Sequence, residues 1–316
     1  MIVQAADRIK EPNGYKIESN GLIFDIMRFA LNDGPGIRTI VFFKGCPLSC
    51  WWCHNPESQS FKTELMFFEN RCLVCGECVA ACPHGAITYV DGVIKTGYEC
   101  QGTGECVSVC ASGARRLVGR WMNVSELMQE IEKDRIFWDE SGGGVTFSGG
   151  EPLAQPRFLE EVLEACHIKG IHTVLETCGL ARKDLLMRIS QNVDLFFYDL
   201  KLMDSDEHEK YTGVPNRPLL ENLEVLARGS RPVVVRFPVI PGINDGEKNL
   251  REMAAFLSRN GLRRIDLLPY HQTGADKRVR LRTTYRLEGL EPPPAAHIQQ
   301  IARDLERDGF DVRIGG

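Results

Sequence analysis

The stretch Gly45-Cys46-Pro47-Leu48-Ser49-Cys50-Trp51-Trp52-Cys53-His54-Asn55-Pro56 carries three cysteines in the spacing C-x3-C-x2-C, with no fourth cysteine close by. Three thiolates can hold three corners of a four-iron, four-sulfur cube. The fourth iron then keeps an open position, and open positions on metals are where substrates bind and react. The structural alternative is a zinc site with His54 as fourth ligand. Zinc sites usually pair cysteines as C-x2-C knuckles, with a second pair further on. Here Cys50 and Cys53 would form one knuckle and Cys46 an odd addition. His54, directly after Cys53, would need an awkward turn to reach the same ion.

Working outward, a strand-like run at 39–43 leads into this loop. It follows another at 22–29 and the turn Asn32-Asp33-Gly34-Pro35-Gly36. From about residue 118 onward, short apolar strands alternate with amphipathic helices. Strands are expected at 144–147, 172–175, 195–198, 233–237 and 265–268, with a closing strand at 311–314. Segments 158–166, 185–190, 219–227, 250–258 and 297–305 place apolar residues at helical spacing. Such a series builds a parallel sheet, either a barrel or a doubly wound sheet. Polar or glycine-rich residues follow the strands: Ser148-Gly149-Gly150-Glu151, Glu176-Thr177-Cys178-Gly179, Asp199-Leu200-Lys201, 238–244 and Pro269-Tyr270-His271. The carboxyl ends of strands carry the active site in parallel α/β barrels. These groups and the cysteine loop are therefore expected on one face.

A chain of 316 residues fits one large domain or two smaller ones, and its hydrophobic fraction of 43% is ordinary for a sizeable core. Net charge is −5, and Lys and Arg are scattered rather than clustered, which argues against nucleic acid or a membrane surface as partner. Residues 1–14 are polar without the apolar region of a secretory signal, and no apolar run is long enough to span a bilayer. A cytoplasmic location is the default expectation. In that reducing compartment the 12 cysteines read as metal ligands before disulfides.

Residues 62–117 hold seven of the cysteines in short polar stretches. Cys72-x2-Cys75-x2-Cys78-x3-Cys82-Pro83 is the bacterial ferredoxin run, whose fourth cysteine serves the other cluster. An imperfect copy follows, Cys100-x5-Cys106-x3-Cys110, with Thr103 where the second cysteine would fall. In the crossed pattern Cys72, Cys75, Cys78 and Cys110 complete one cube, while Cys82, Cys100 and Cys106 give the other only three thiolates. The second cluster is then three-iron, ligated by a non-cysteine group such as Glu105 or Thr103, or unfilled. Cys166 and Cys178 are expected to be packing residues.

The three-cysteine spacing, with aromatic Trp52 just before the third cysteine, resembles the signature of the radical S-adenosylmethionine (SAM) superfamily. The resemblance implies a partial parallel (β/α)6 barrel: 1–61 its N-terminal part with the cluster loop, 62–117 an inserted small ferredoxin-like α+β domain, and 118–316 the remainder. It implies a four-iron cluster on Cys46, Cys50 and Cys53, with Trp52 beside the cofactor. The open iron chelates the methionine end of SAM, and one electron then releases a 5′-deoxyadenosyl radical. Gly149, Gly150 and Glu151 match the family's GGE motif, where backbone and carboxylate accept from the methionine ammonium group. By resemblance to pyruvate formate-lyase activase, Glu176, Asp199 and Lys201 surround SAM together with a monovalent cation; Glu176 stands where that relative has an aspartate. Arg236 and His271 match further positions near SAM.

The turn Asp33-Gly34-Pro35-Gly36-Ile37-Arg38 resembles that of glycyl-radical-enzyme activating enzymes, where the aspartate receives the partner's glycine loop. Trp52-Cys53-His54-Asn55-Pro56-Glu57-Ser58, Ser141-Gly142-Gly143-Gly144, Ile240-Pro241-Gly242-Ile243-Asn244-Asp245 and Leu267-Leu268-Pro269-Tyr270-His271 agree with it. With its cysteine-rich insert the chain resembles the longer group of these activases. The resemblance implies an oxidoreductase that consumes SAM and abstracts a hydrogen from a backbone glycine of a large partner enzyme. A reduced flavodoxin or ferredoxin supplies the electron, one or two auxiliary clusters sit in the insert, and the free protein is expected to be a monomer. A radical SAM enzyme acting on another substrate would leave the Asp33 turn unexplained. A ferredoxin-type electron carrier would leave the barrel pattern idle.

Overall fold

The computed structural model describes residues 18–315; the polar stretch 1–14, read above as no secretory signal, lies outside them. The strands in chain order are β1 (Asn20–Ala30), β2 (Arg38–Phe43), β3 (Glu64–Phe67), β4 (Ile87–Val90), β5 (Val93–Thr96), β6 (Arg115–Val118), β7 (Arg120–Asn123), β8 (Gly144–Gly149), β9 (His172–Thr177), β10 (Leu195–Asp199), β11 (Val233–Val239), β12 (Arg264–Pro269) and β13 (Asp311–Ile314). Among the described residues the main sheet has the order β13-β12-β11-β10-β9-β8-β2-β1-β7. From β2 through β8 to β13 every pairing is parallel. The expected α/β architecture is therefore present: six strand–helix units from β2 to β12, closed by β13. β1 pairs antiparallel with β2, and β7 antiparallel with β1. A turn of a few residues between β1 and β2 allows nothing else, because a parallel neighbour needs a long crossover.

Side chains alternate along each parallel strand. One set, with Val41, Phe147, Leu175, Phe196, Val235 and Leu267, forms the main core against helices Pro156–Ile168, Glu247–Arg259 and Ala295–Arg307. Each such buried side chain contributes about 1.5–3 kcal/mol. The other set faces the concave side. It begins apolar, with Val174, Phe197 and Val234 packed together. Two residues further along the same strands come Glu176, Asp199 and Arg236. The core ends and the site begins within one side-chain repeat.

Helices Val124–Glu132, Arg135–Ser141, Ser205–Thr212 and Thr273–Leu281 add to those expected. The first is opened by a reciprocal capping box between Asn123 and Glu126. No helix among the described residues is long and apolar enough to cross a membrane.

The 62–117 segment forms two small antiparallel pairs, β3 with β6 and β4 with β5. Two short helices, Glu77–Ala81 and Glu105–Ser108, are each preceded by a left-handed glycine, Gly76 at φ 82° and Gly104 at φ 98°.

The turn between β1 and β2 is anchored by Arg38, which is fully buried. Its guanidinium donates to Thr146 Oγ1 at 2.7 Å and to the carbonyls of Pro35 at 3.0 Å, Val145 at 2.6 Å and His172 at 3.2 Å. Burial lowers its pKa to about 10, so it stays charged at neutral pH. The glycine run before β8 lets this turn approach: a Cβ on Gly143 would lie 1.8 Å from the Ile37 carbonyl oxygen. Gly143→Ala is expected to cost on the order of 3 kcal/mol or more in chemical denaturation. Gly142→Ala next door, at φ +67° in open space, should cost only about 1 kcal/mol. Equal costs would show that the close approach is not what selects glycine there.

Candidate active site at the carboxyl ends of the strands

The cysteine loop leaves β2 and closes on itself. Gly45 N–H donates to Ser58 O at 2.6 Å and Cys46 N–H to Gln59 O at 3.1 Å. It is stitched to the end of β8, where Gly150 N–H reaches Phe43 O at 2.8 Å and Glu151 N–H reaches Gly45 O at 2.9 Å. Glycine is required at this seam. Cβ atoms on Gly149 and Gly150 would stand 2.5 Å from Phe43 O and 2.4 Å from Gly45 O, and Gly149 has φ +109°. Helix Thr273–Leu281 clamps the loop through Arg278 Nη2 to Cys50 O at 3.3 Å, and through Lys277 Nζ to Asn55 Oδ1 at 2.8 Å and Glu57 Oε1 at 2.7 Å. On the opposite side, Ser49 and Trp51 N–H groups donate to the carbonyls of Thr212 and Tyr211 at the end of helix Ser205–Thr212.

Cys46, Cys50, Trp52 and Cys53 line one cavity with Gly149, Gly150, Glu176, Asp199 and Lys201. The loop and the ends of β8, β9 and β10 thus converge, as the strand-end pattern predicts. Leu48, Leu202 and Tyr270 pack around the thiols. Burial pushes the Cys46 thiol well up, Cys50 up to about 12 and Cys53 upward as well. Bare, these groups are neutral; a coordinated metal reverses this, because it deprotonates the thiols it binds. Three soft donors, Cys50 buried and Cys46 and Cys53 half-buried, beside apolar side chains suit an iron–sulfur cube. Among the described residues no three His, Cys, Asp or Glu side chains close on a single shared ion. A cube spaces its thiols more widely than one ion does.

The charged lining is paired. Lys201 Nζ donates to Asp199 Oδ2 at 2.8 Å. Burial works against the Lys201 ammonium, but the Asp199 carboxylate outweighs it and holds the pKa up. The Lys201 carbonyl accepts from Asn244 Nδ2 at 3.0 Å, which also bonds Pro238 O. Asn244 of the 240–245 motif thereby ties the ends of β10 and β11 together. Glu176 accepts from the Ser148 hydroxyl and, at 2.6 Å, from Arg236 Nη1. Burial would raise the Glu176 carboxyl, yet Arg236 and Ser148 bring it below its ordinary range.

Other expected residues stand apart from the cavity wall. Arg236 is buried behind Glu176, 3.6 Å from Asp33 Oδ1 and 4.0 Å from Asp266 Oδ2, with its guanidinium over the Phe197 ring. Asp33 therefore meets the site through Arg236. Burial, then the Glu176 charge, raises the Asp33 pKa, with Arg236 opposing. Glu151 does not line the cavity: its carboxylate accepts from Leu153 N–H, Thr177 Oγ1 and Cys178 N–H at 3.0, 2.7 and 2.8 Å. It caps the strand end instead of reaching for a ligand. His271 is exposed and stacks on His54 at 3.7 Å. His54 lines the cavity, its buried Nε2 has no hydrogen-bond partner, and burial lowers its pKa to about 4. Cys178, read from sequence as packing, also lines the cavity, and its thiol contacts Glu151 Oε2 at 2.9 Å. Cys166 is packed in the core. His54 and Cys178 were findable only as neighbours of stronger motifs.

In the 62–117 segment, Cys72, Cys78, Cys82, Cys100 and Cys106 pack around one small apolar cluster. Cys75 is exposed, and Cys110 Sγ lies 3.6 Å from Ser112 Oγ. A separate small cavity is lined by Cys82, Cys100 and Cys106 together with His84, Thr103 and Glu105.

Residues 40–254 match the radical SAM superfamily. A radical SAM methyltransferase from Sphaerobacter thermophilus shares the fold, with a TM-score of 0.52 over 88% of this chain and 66% of that one at 14% identity. The chain belongs to the radical SAM superfamily, whose chemistry uses a four-iron, four-sulfur cluster and SAM. It is 42% identical over 301 residues to the trans-4-hydroxy-L-proline dehydratase activating enzyme of Clostridioides difficile, spanning 94% of this chain and 100% of that one. It is equally 42% identical to the choline trimethylamine-lyase activating enzyme of Oleidesulfovibrio alaskensis, across 94% and 99% of the two chains. The benzylsuccinate synthase activating enzyme of Thauera aromatica is 42% identical across 93% and 92%. Within the superfamily this chain is one of the activating enzymes of glycyl radical enzymes.

Arg236→Ala leaves Glu176, Asp33 and Asp266 without their shared cation. It is expected to cost about 3–5 kcal/mol of unfolding free energy. Adding Glu176→Gln should return part of that loss. A cost under about 1 kcal/mol, the range of an exposed pair, would show that Arg236 is not the hub.

Proposed function

We propose that this chain installs a radical on a backbone glycine of one large partner enzyme, using SAM held at the strand-end cavity. A four-iron cluster with one uncommitted iron supplies, when bound and reduced, the electron that splits SAM into methionine and a 5′-deoxyadenosyl radical. Cys46, Cys50 and Cys53 hold that cluster. The bare backbone at Gly149 and Gly150 lets the amino-acid end of SAM approach the seam closely. Glu176, Asp199 and Lys201 present two carboxylates and an ammonium to the polar groups of SAM, with a monovalent cation among them. Trp52 and His54 wall the cavity, and His271 buttresses His54. Arg236 is a positioning residue, since it reaches the cavity only through Glu176. Glu151 fixes the strand end.

One observation carries the reading of the partner side. Asp33 in the 33–38 turn is joined through Arg236 to Glu176 on the cavity wall, so a glycine loop brought to Asp33 stands next to bound SAM. Residues 62–117 form an inserted iron–sulfur domain that relays electrons from flavodoxin or ferredoxin. The free protein is a cytoplasmic monomer. The chain's own contribution is positioning and the exclusion of water and oxygen.

Anaerobic protein reconstituted with iron and sulfide is expected to yield 5′-deoxyadenosine from SAM and dithionite. Cys46→Ala, Cys50→Ala or Cys53→Ala should each reduce this to background. With a glycyl radical enzyme as partner, the wild type should generate a glycyl radical signal. Asp33→Asn should keep SAM cleavage but lower that signal at least about tenfold, the weight of one charged hydrogen bond. SAM cleavage without any radical on the partner would favour a different substrate, and iron without SAM cleavage would favour an electron carrier.

A further inference from the structure

Residues 72–82 and 100–110 repeat one another in conformation as well as in sequence. Gly76 and Gly104 both adopt left-handed φ, and each opens a short helix whose second residue is a buried cysteine, Cys78 or Cys106. Cys72 then matches Cys100, Cys82 matches Cys110, and Cys75 matches Thr103. Cys75 and Thr103 are both exposed. Thr103 thus stands where the first half offers its exposed sulfur. Its Oγ1 donates to Glu105 Oε2. Thr103 and Glu105 line the same small cavity as Cys82, Cys100 and Cys106. No lysine or arginine pairs with Glu105 among the described residues, so its carboxylate is not spent on a salt bridge.

We infer that the second auxiliary site is a four-iron cube held by Cys82, Cys100 and Cys106, with the Glu105 carboxylate as its fourth, oxygen ligand and Thr103 orienting that carboxylate. This rests on reading residues 62–117 as an iron–sulfur segment. A threonine alcohol remains neutral and is a poor ligand, whereas a carboxylate is anionic at neutral pH. Oxygen donors are harder than thiolates and hold iron less firmly in a sulfur cluster. The corner at Glu105 also faces solvent. It is therefore the iron released on oxidation. The cube in its 2+ state gives one electron to an added one-electron oxidant, ferricyanide, and one iron departs as Fe2+. A three-iron cluster in its 1+ state remains.

The test uses the full chain carrying Cys46→Ala, Cys50→Ala and Cys53→Ala, so that the SAM-site cluster contributes no labile iron. This protein is reconstituted anaerobically with iron and sulfide and titrated with ferricyanide. Electron paramagnetic resonance and iron analysis are the readouts. The expected result is loss of one iron per chain and the three-iron signal near the free-electron g value. Adding Glu105→Ala should release that iron before any ferricyanide is present. Adding Thr103→Cys should keep it throughout the titration, and since this variant gains a ligand, a retained cluster also reports an intact fold. Unchanged behaviour in both variants overturns the assignment. Release by His84→Ala but not by Glu105→Ala overturns it in favour of an imidazole ligand. If the parent variant holds no iron and sulfide at all, the iron–sulfur reading of the segment itself fails, and the assignment fails with it.

Discussion

Two backbones, one leaving β2 and one leaving β8, approach so closely that only glycine fits between them. At this seam Gly45 is bonded to both Ser58 and Glu151, while Gly149 and Gly150 lie against Phe43 and Gly45. The contact fixes both ends of the cysteine loop. With its ends fixed and its flanks held by helices Ser205–Thr212 and Thr273–Leu281, the loop can turn three thiols toward the cavity. A looser seam would leave the same cysteines on a mobile loop.

The concave face is also where the fold accepts its electrostatic costs. Arg38, Arg236 and Lys201 are all buried, yet they are satisfied in different ways. Arg38 is surrounded by carbonyl and hydroxyl oxygens and acts as a brace for the turn. Arg236 is shared among three carboxylates from three elements, and Lys201 has one. Buried ion pairs add little net stability, because desolvation offsets attraction. Their value here is positional. Glu176 and Asp199 are held at set places on the cavity wall, and Asp33 is brought within reach of the same network.

The parallel strands were legible because their buried runs are apolar and bounded by polar clusters, as in Val233 to Val235. The three-cysteine loop was legible through spacing alone. Helix Ser205–Thr212 was not, since its sequence is polar nearly all round and leaves no apolar stripe to read. Helix Thr273–Leu281 has the same difficulty, although it clamps the cysteine loop. Val124–Glu132 did carry both a capping box and a periodic apolar face, so that signal was present and went unread. Within the site, sequence assigned residues to a strand end correctly but not to a direction. Glu151 and Glu176 both end strands; one carboxylate is consumed by backbone N–H groups and the other faces the cavity. That difference is decided by a one-residue step in backbone orientation, which residue type does not encode.

Entry into and exit from the 62–117 segment occur on neighbouring antiparallel strands, β3 and β6, with Glu64 opposite Val118. The two chain ends at that base are separated by little more than one strand spacing, roughly 5 Å. Excision of everything beyond the stalk would leave a gap that a tight turn can close, at the loss of the contacts that Arg282 makes with the carbonyls of Thr96 and Gly97 and Arg280 with the Phe68 ring. A lineage could therefore shed, acquire or trade this appendage in a single recombination event. The barrel and the appendage are free to diversify at different evolutionary rates.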